Sequence, residues 1–224
     1  MMNEFAALEK RHAIRKYKKD AIDSDTIREL NQIIDDCNKE SDLHIRMYLQ
    51  EPQAFHSFFT HFGRFQNVQN YIALIGKPNE ILEETCGYYG EKIVRKAIAL
   101  GLDTCWVAGS FQSKYIPLHE DEQLCCVIVI GYGKESGKVH KSKAIQELCV
   151  VEKDMPAWFL NGMKCVQLAP SAMNKQRFQF KLHADDRVSV KALSGKYAHI
   201  DVGIAKYHFE VGAGQGEWEW KKEN

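Results

Sequence analysis

Residues 168–180, LAPSAMNKQRFQF, join a segment of helical periodicity to a run in which aromatic residues alternate. The proline stiffens this connection, Ser171 and Asn174 offer hydrogen bonds that a polar ring edge could use, and Gln176 can reach the backbone. Serine, asparagine and proline are also ordinary loop residues. The composition therefore leaves two interpretations open: a simple connection between two elements, or a loop that holds a ligand.

Helices and short strands are predicted on both sides of this loop. The helix before it has Asp154 as its N-cap and Pro156 in its first turn, and the last helix is followed by Gly212. The elements are a helix over 155–168, a strand over 178–182, a short strand near 188–190 and a helix over 200–211.

The earlier part of the chain alternates in the same way. Ser24 is a plausible N-cap for an amphipathic helix, and Gly101 stands where a glycine commonly follows a helix. The predicted elements are a helix over 24–38, a strand over 43–49, a buried strand over 71–76, a helix over 89–101 and a strand over 123–131.

A weak internal similarity links the two parts of the chain. Each part contains a helix closed by a glycine with a tryptophan shortly after it, Gly101 with Trp106 and Gly212 with Trp218. This order predicts an α+β protein of two similar half-units, residues 1–150 and 151–224, or one integrated domain.

The composition is that of a globular protein that does not bind nucleic acid. Of 224 residues, 45% are hydrophobic, and Lys+Arg and Asp+Glu both number 30, whereas nucleic-acid-binding proteins are usually basic. The longest apolar run, 124–130, is far shorter than the roughly 18 residues of a membrane-spanning helix, and the first residues lack a signal peptide's apolar region. Seven cysteines without a CxxC pair indicate free thiols in the cytoplasm, and no metal-ligand spacing occurs.

A basic segment, KRHAIRKYKK at residues 10–19, is the second candidate for chemistry. Basic runs are usually solvated, but here Ala13, Ile14 and Tyr17 interleave with the charges as in a segment that packs on one side. Arg11 and Arg15 are four residues apart, so on a helical turn they would converge on one point. Two guanidinium groups beside an apolar face are suited to holding a phosphate.

Two further stretches are compatible with a ligand. In CWVAG, residues 105–109, small residues after a tryptophan would let the backbone approach a flat ligand, although a tight apolar turn explains them equally well. Lys141 and Lys143 follow a glycine-rich turn at strand spacing, and could meet the same phosphate as Arg11 or lie in a surface loop.

Together these stretches resemble the FMN-dependent nitroreductase superfamily. RHAIR at 11–15 resembles its R-x-S-x-R/K segment, and GLDTCWVAG at 101–109 resembles its G-L-x-x-x-W loop. IGY at 130–132, followed by Lys141 and Lys143, resembles its basic pair after a strand end. PSAMNKQ at 170–176 closely resembles its P-S-x-x-N-x-Q-P-W loop.

Three departures from the superfamily pattern stand out. Ala13 replaces a hydroxyl residue, Arg177-Phe178 replaces a Pro-Trp pair, and the P-S-x-x-N loop follows a late helix instead of the first one. In ordinary nitroreductases two identical subunits build the flavin site together, so a fused pair of half-units needs only one complete site. This arrangement resembles the TM nitroreductase subgroup and implies a monomer that imitates the dimer.

The resemblance implies a nitroreductase-like fold with FMN as cofactor and NAD(P)H as the transient reductant. It implies phosphate binding by Arg11, Arg15, Lys141 and Lys143, with His12 and Ala13 in the same segment. The backbone of Val107, Ala108 and Gly109 would cover the reactive face of the flavin, and Pro170, Ser171, Ala172, Asn174 and Gln176 would lie beside its rings.

The implied function is that of an oxidoreductase working by ping-pong hydride transfer from NAD(P)H to a nitroaromatic, quinone or similar electron-poor acceptor. Because the cofactor carries the chemistry, no catalytic side chain is expected. A flavin sensor or store without turnover is the main alternative. A degenerate fold without flavin, and an enzyme of specialised chemistry such as dehalogenation or flavin destruction, also remain open.

Overall fold

The computed structural model describes residues 4–56, 65–138, 141–216 and 218–221. Within them the chain forms two four-stranded sheets flanked by helices, which confirms the α+β class. None of these described helices is long and apolar enough to cross a membrane. The helices are α1 (Glu4–Lys10), α2 (Ser24–Ser41), α3 (Leu82–Ala99), α4 (Ile145–Leu148), α5 (Ala157–Val166) and α6 (Ala198–Ala213), and the strands are β1 (Arg46–Tyr48), β2 (Asn70–Gly76), β3 (Asp103–Val107), β4 (Gln123–Gly131), β5 (Cys149–Val151), β6 (Phe178–Leu182), β7 (Arg187–Ala192) and β8 (Glu219–Trp220).

The chain divides into two compact units. Unit 1 contains Lys10–Leu82 and Lys92–Val139, whereas unit 2 contains Asn3–Glu9, Glu83–Glu91 and His140–Asn224. The first part of α3 therefore belongs to unit 2 and its second part to unit 1. A division into half-units at residue 150 stays a prediction.

The sheet of unit 1 has the order β1-β2-β4-β3 and is antiparallel throughout. All seven residues of β2 are buried, and Tyr71 of β2 lies opposite Val129 of β4. A central strand that is covered on both faces has no solvent-facing side, so its sequence is apolar without alternation. The predicted strands at 71–76 and 123–131 are confirmed for this reason.

Helix α2 begins at Ser24 as predicted but has a different cap, whereas helix α3 begins earlier than predicted. The Asp23 carboxylate accepts a hydrogen bond from the Thr26 N–H at 2.9 Å and caps α2, so the predicted cap Ser24 is instead the first helical residue. Helix α3 begins at Leu82 and not at residue 89. Gly87 and Gly90 lower the helix propensity of its first turns and interrupt the apolar periodicity there, so the sequence pattern does not reveal these turns.

The sheet of unit 2 is mixed and has the order β5-β6-β7-β8. The central pair β6 and β7 is antiparallel, and each outer strand runs parallel to its neighbour. Its core is aromatic: the Phe180 ring stacks on Phe209 with ring centres 5.2 Å apart, and Phe159 meets Phe209 at 5.4 Å. The alternating aromatics after the loop at 170–176 are therefore the buried face of β6.

Glycine allows close contacts between backbones in unit 2. A Cβ on Gly203 of α6 would lie 1.9 Å from the Glu84 carbonyl oxygen, so α3 and α6 approach closely at this point. A Cβ on Gly212 would lie 2.5 Å from the Asn161 carbonyl oxygen. Gly212 is thus a packing residue inside α6 and not the residue after it, because the helix is capped by Gly214 with φ 70°.

The N-terminus of α5 also differs from the prediction. The helix begins at Ala157, with Pro156 in the capping position and extended backbone there (φ −71°, ψ 161°). Asp154, the N-cap that the sequence predicts, lies outside the helix. A proline fits the start of a helix because the first N–H groups have no partner within the helix.

Candidate functional site

The arginine segment at residues 11–15 is extended and does not form a helical turn. Ala13 forms a parallel bridge with Thr104 of β3, and the Ile14 N–H donates to the Thr104 carbonyl oxygen at 3.1 Å. Ile14 and Tyr17 are buried in the core of unit 1. The prediction that Arg11 and Arg15 converge on a helical turn is wrong, because backbone pairing with β3 and burial of these two side chains decide the conformation.

Both arginines nevertheless act on the same part of β3. Arg11 is buried, with 5% of its surface exposed, whereas Arg15 is exposed. Burial raises the pKa of the Cys105 thiol, and the positive charges of Arg15 and Arg11 oppose that rise. The two guanidinium groups therefore lie within electrostatic reach of Cys105.

Two polar atoms beside this segment are buried and find no hydrogen-bond partner among the described residues. One is the Thr104 hydroxyl, opposite Ala13 in the bridge, and the other is His12 Nδ1. The His12 ring packs against Gly137, where a Cβ would lie 1.9 Å from the histidine Cβ. Sequence reasoning missed Thr104, because a threonine inside an apolar strand gives no local signal of a ligand.

Val107, Ala108 and Gly109 lie where β3 ends. Val107 is the last residue of the strand, and Ala108 and Gly109 line a cavity of about 630 Å³ in unit 1. Apolar side chains, including Phe111 and Leu124, supply much of the remaining wall. A backbone stretch with almost no side-chain bulk thus borders an accessible space.

Glu122 is the ionised group of this cavity wall. Burial alone would raise its pKa, but the His119 N–H, the Arg46 guanidinium and His44 lower the pKa of Glu122 to about 2. The His119 N–H donates to the carboxylate at 2.8 Å, and His44 Nδ1 lies 2.7 Å from it. The Arg46 guanidinium of β1 also donates to this carboxylate, so these bonds tie β1 and His44 to the turn before β4.

The second set of predicted residues comes together in unit 2. The Lys143 N–H donates to Gln176 Oε1 at 2.7 Å, and Lys143 Nζ donates to the Gln176 carbonyl oxygen at 3.1 Å. Asn174 Nδ2 donates to the Lys141 carbonyl oxygen at 2.8 Å, and the Gln176 N–H donates to Ser171 Oγ at 2.9 Å. The loop at 170–176 and the lysine segment at 141–143 therefore form one hydrogen-bonded cluster.

Most of these side chains shape the loop through bonds to the backbone. Ser171 Oγ, Asn174 Nδ2 and Gln176 Oε1 are each engaged within the cluster. Gln176 Nε2 is buried and finds no hydrogen-bond partner in the described parts of the chain. Pro170 is half-buried between the end of α5 and the turn at Ala172–Asn174.

The loop holds three non-glycine residues with positive φ. Met173, Asn174 and Gln176 have φ values of 53°, 54° and 44°. Such conformations are uncommon outside glycine and persist only where surrounding contacts fix them. Ala172 is fixed by a further residue that sequence reasoning missed, because its N–H donates to Asp201 Oδ1 of α6 at 2.9 Å.

Arg177, which stands in place of the superfamily proline, packs over the turn after β7. A Cβ on Gly195 would lie 1.8 Å from Arg177 Nη1, and the Arg177 carbonyl oxygen accepts a hydrogen bond from the Leu193 N–H at 2.9 Å. Gly195 has φ 153°, a conformation that favours glycine. The departure at this position is therefore accommodated by Gly195 in the turn that follows β7.

The sequence matches the model of one protein family over almost its whole length. The family is described as "Putative TM nitroreductase", and the match covers residues 3–213. A comparison with curated proteins gave no match.

Solved structures share this fold. A "putative nitroreductase" from Thermotoga maritima is 23% identical with a TM-score of 0.65, covering 94% of this chain and 83% of its own. A "putative nitroreductase in complex with fmn" from Desulfovibrio desulfuricans is 17% identical with a TM-score of 0.55, covering 70% and 99%. A "Putative NADH dehydrogenase/NAD(P)H nitroreductase" from Bacteroides thetaiotaomicron is 15% identical with a TM-score of 0.51, covering 66% and 96%. At these identities the likeness establishes the fold.

Proposed function

Since the chain belongs to the "Putative TM nitroreductase" family, we propose that it is an FMN-dependent oxidoreductase that transfers hydride from NAD(P)H to an electron-poor acceptor. The observation that carries this proposal is the cluster of Lys141, Lys143, Ser171, Asn174 and Gln176. The two lysines lie about thirty positions before the loop residues in sequence. They are nevertheless hydrogen-bonded to the loop, which holds three residues in the left-handed conformation.

The residues present fit the chemical groups of FMN. Arg11 and Arg15 supply two positive charges near Cys105 of β3, and such charges favour the binding of a phosphate. The Thr104 hydroxyl and Gln176 Nε2 are buried polar atoms without a hydrogen-bond partner among the described residues. Thr104 adds a hydroxyl beside the position where Ala13 lacks one, so the departure at Ala13 does not leave this region without a hydroxyl.

Each part of the chain has a defined role in this proposal. Arg11 and Arg15, with Lys141 and Lys143, hold the phosphate by charge. The loop at 170–176 places fixed backbone groups against the edge of the flavin rings. The low bulk of Ala108 and Gly109 lets the backbone cover the reactive face and exclude water.

The bound cofactor would supply the redox chemistry, accepting hydride from NAD(P)H and donating it to a nitroaromatic, a quinone or a similar acceptor. The two substrates would use the same place in turn, which is a ping-pong sequence. No side chain of this protein is proposed to act as a nucleophile or an acid. We also propose that the protein works as a monomer, with both sets of residues in one chain.

FMN titration followed by anaerobic reduction tests this function. We expect the protein to bind FMN with quenching of its fluorescence, and the bound flavin to bleach rapidly on mixing with NADH or NADPH. The double variant Arg11→Ala/Lys141→Ala should lose affinity for FMN, while Lys18→Ala/Lys19→Ala, which removes the same charge from exposed lysines, should not. A protein that takes up no FMN would refute the proposal.

A flavin sensor or store is the second candidate function. Arg177 in place of the superfamily proline and Ala13 in place of a hydroxyl residue favour it, because both are departures at the proposed cofactor site. A flavin that binds but is not bleached by either nicotinamide cofactor would support this candidate against the enzyme.

A further inference from the structure

Asp201 connects helix α6 to the loop at 170–176. It lies in the first turn of α6, and its Oδ1 accepts a hydrogen bond from the Ala172 N–H at 2.9 Å. Ala172 opens the short turn that contains Met173 and Asn174, both in the left-handed conformation. The contact therefore holds the loop at the point where its unusual backbone begins.

The surroundings of Asp201 favour an uncharged carboxyl group. The residue is 3% exposed, and its Oδ2 is buried with no hydrogen-bond partner among the described residues. A carboxylate that accepts one hydrogen bond in a dry environment is costly compared with its neutral form. Burial accordingly raises the pKa of Asp201 to about 7, although the Ala172 N–H and Arg177 act in the opposite direction.

The charged groups around Asp201 do not neutralise it. Arg177, which directly precedes β6, is the charged side chain that acts on the pKa of Asp201 within the described residues. Glu84 of α3, which faces α6 near Gly203, is engaged with Lys206. His199, close to Asp201 on the same helix, is exposed. The burial of the carboxyl group therefore outweighs the one positive charge that reaches it.

We propose that Asp201, in its protonated form, is the residue that positions the loop at 170–176 for flavin binding. This inference rests on the proposed function. The carboxyl group is buried while it accepts the hydrogen bond from the Ala172 N–H, and we expect an opened loop to return it to water. Protons therefore favour the closed loop, and loss of the proton allows the three left-handed residues to relax.

Titration of FMN affinity against pH tests this role. As the pH rises from about 5 towards 7 we expect the Kd of the wild-type protein for FMN to increase by up to about tenfold per pH unit, because loop closure takes up a proton in this range, and to level off above about pH 8. Asp201→Asn keeps the hydrogen-bond acceptor but cannot ionise, so its affinity should not show this change. Asp201→Ala, which has no acceptor, should bind weakly at every pH. Asp154→Asn, the same substitution at an exposed aspartate, should follow the wild type.

Amide hydrogen exchange of the FMN-free protein gives an independent measurement. After correction for the intrinsic rate, protection of the Ala172 N–H should fall with rising pH in the wild type and in Asp154→Asn, but not in Asp201→Asn. If Asp201→Asn does not fold, the profiles of the wild type and Asp154→Asn remain, and unchanging protection at Ala172 in both overturns the proposal.

The two measurements separate this inference from the proposed function. A wild-type protein that binds no FMN at any pH refutes the function, and the Ala172 exchange profile then still decides whether Asp201 anchors the loop. A wild-type protein that binds FMN with the same pH profile as Asp201→Asn retains the function and overturns the role of Asp201.

Discussion

The arginine segment at 11–15 and the loop at 170–176 are held in place by different kinds of bonds. The arginine segment is fixed by backbone pairing with Thr104 and by the burial of Ile14 and Tyr17. The loop is fixed by side chains that bond to backbone groups, among them Ser171 and Asp201. A charge can therefore be removed from the first segment without moving its backbone, whereas one side chain can move the backbone of the loop.

Two carboxyl groups, one in the unit of each region, respond to protons in opposite directions. Glu122, in the unit that holds the arginine segment, is stabilising when it is ionised, because its partners lower its pKa to about 2. Asp201, beside the loop, is favoured in its neutral form, because burial raises its pKa to about 7. Acid should therefore weaken the contacts of Glu122, whereas a rise in pH through about 7 should loosen the contact between Asp201 and the loop.

Replacing Tyr17 tests whether the core holds the arginine segment. Tyr17 is 2% exposed, and its hydroxyl donates to the Ile14 carbonyl oxygen at 2.6 Å. We expect Tyr17→Ala to lower the free energy of unfolding by about 3–5 kcal/mol, measured by urea denaturation, because it leaves a large cavity. Tyr17→Phe removes only the hydrogen bond and should cost about 1 kcal/mol. If Tyr17→Ala lowered the free energy of unfolding by less than Tyr17→Phe does, the core would not be what holds the segment.

The pH dependence of Glu122 sharpens the contrast with Asp201. A lowered pKa in the folded state means that the stabilisation by Glu122 is complete above its ordinary pKa, near 4.5, and is lost as the pH falls towards about 2. Glu122→Gln should lower the free energy of unfolding by about 2 kcal/mol at pH 7, because the hydrogen-bond donors around this side chain then face a neutral amide instead of a carboxylate. The difference between this variant and the wild type should shrink between pH 4.5 and pH 2 in urea titrations, and a constant difference would contradict the assignment.

Gln176→Ala tests the dependence of the loop on side chains. It removes the acceptor of the Lys143 N–H, and we expect a loss of about 1–2 kcal/mol of unfolding free energy because a partly buried donor loses its partner. FMN affinity should fall with it, and exchange of the Lys143 amide should become faster. Gln146→Ala, at an exposed position in α4, is the matched control and should change none of the three measurements.

Arg15→Ala should have the smallest effect on stability. Arg15 is exposed and its segment is held by the backbone and the core, so the free energy of unfolding should change by less than about 0.5 kcal/mol. FMN affinity should fall by about tenfold, since one charge-assisted contact to the phosphate is lost. Arg28→Ala, at an exposed arginine of α2, should leave FMN affinity unchanged. Equal affinities of the two variants would exclude Arg15 from phosphate binding.

The strands that lie at the centre of a sheet were predictable from the sequence. The apolar runs at 71–76 and 123–131 correspond to β2 and β4 to within one residue at each end. The alternation after residue 177 correctly predicts the buried face of β6. These elements are local patterns imposed by burial, so a single sequence contains the signal.

The loop at 170–176 was recognisable by its residues, but its mode of attachment was not. Its residue types resemble a known flavin loop, yet the bonds to Lys141 and Lys143 join positions about thirty residues apart. The contact between Asp201 and Ala172 spans a similar distance in sequence. An aspartate in the first turn of a helix is common, so nothing local distinguishes this one.

The sequence by itself determined the α+β class, the family resemblance and the chemical character of the candidate residues, because these depend on local periodicity and residue type. The tertiary structure alone decided that the arginine segment is extended, that Thr104 lies opposite Ala13 and that a buried Asp201 anchors the loop. The physical reason is that backbone pairing and the burial of charge depend on which distant segments meet. A spacing of four residues fits a helical turn, but pairing with the free edge of β3 and burial of Ile14 and Tyr17 place the same residues in extended backbone.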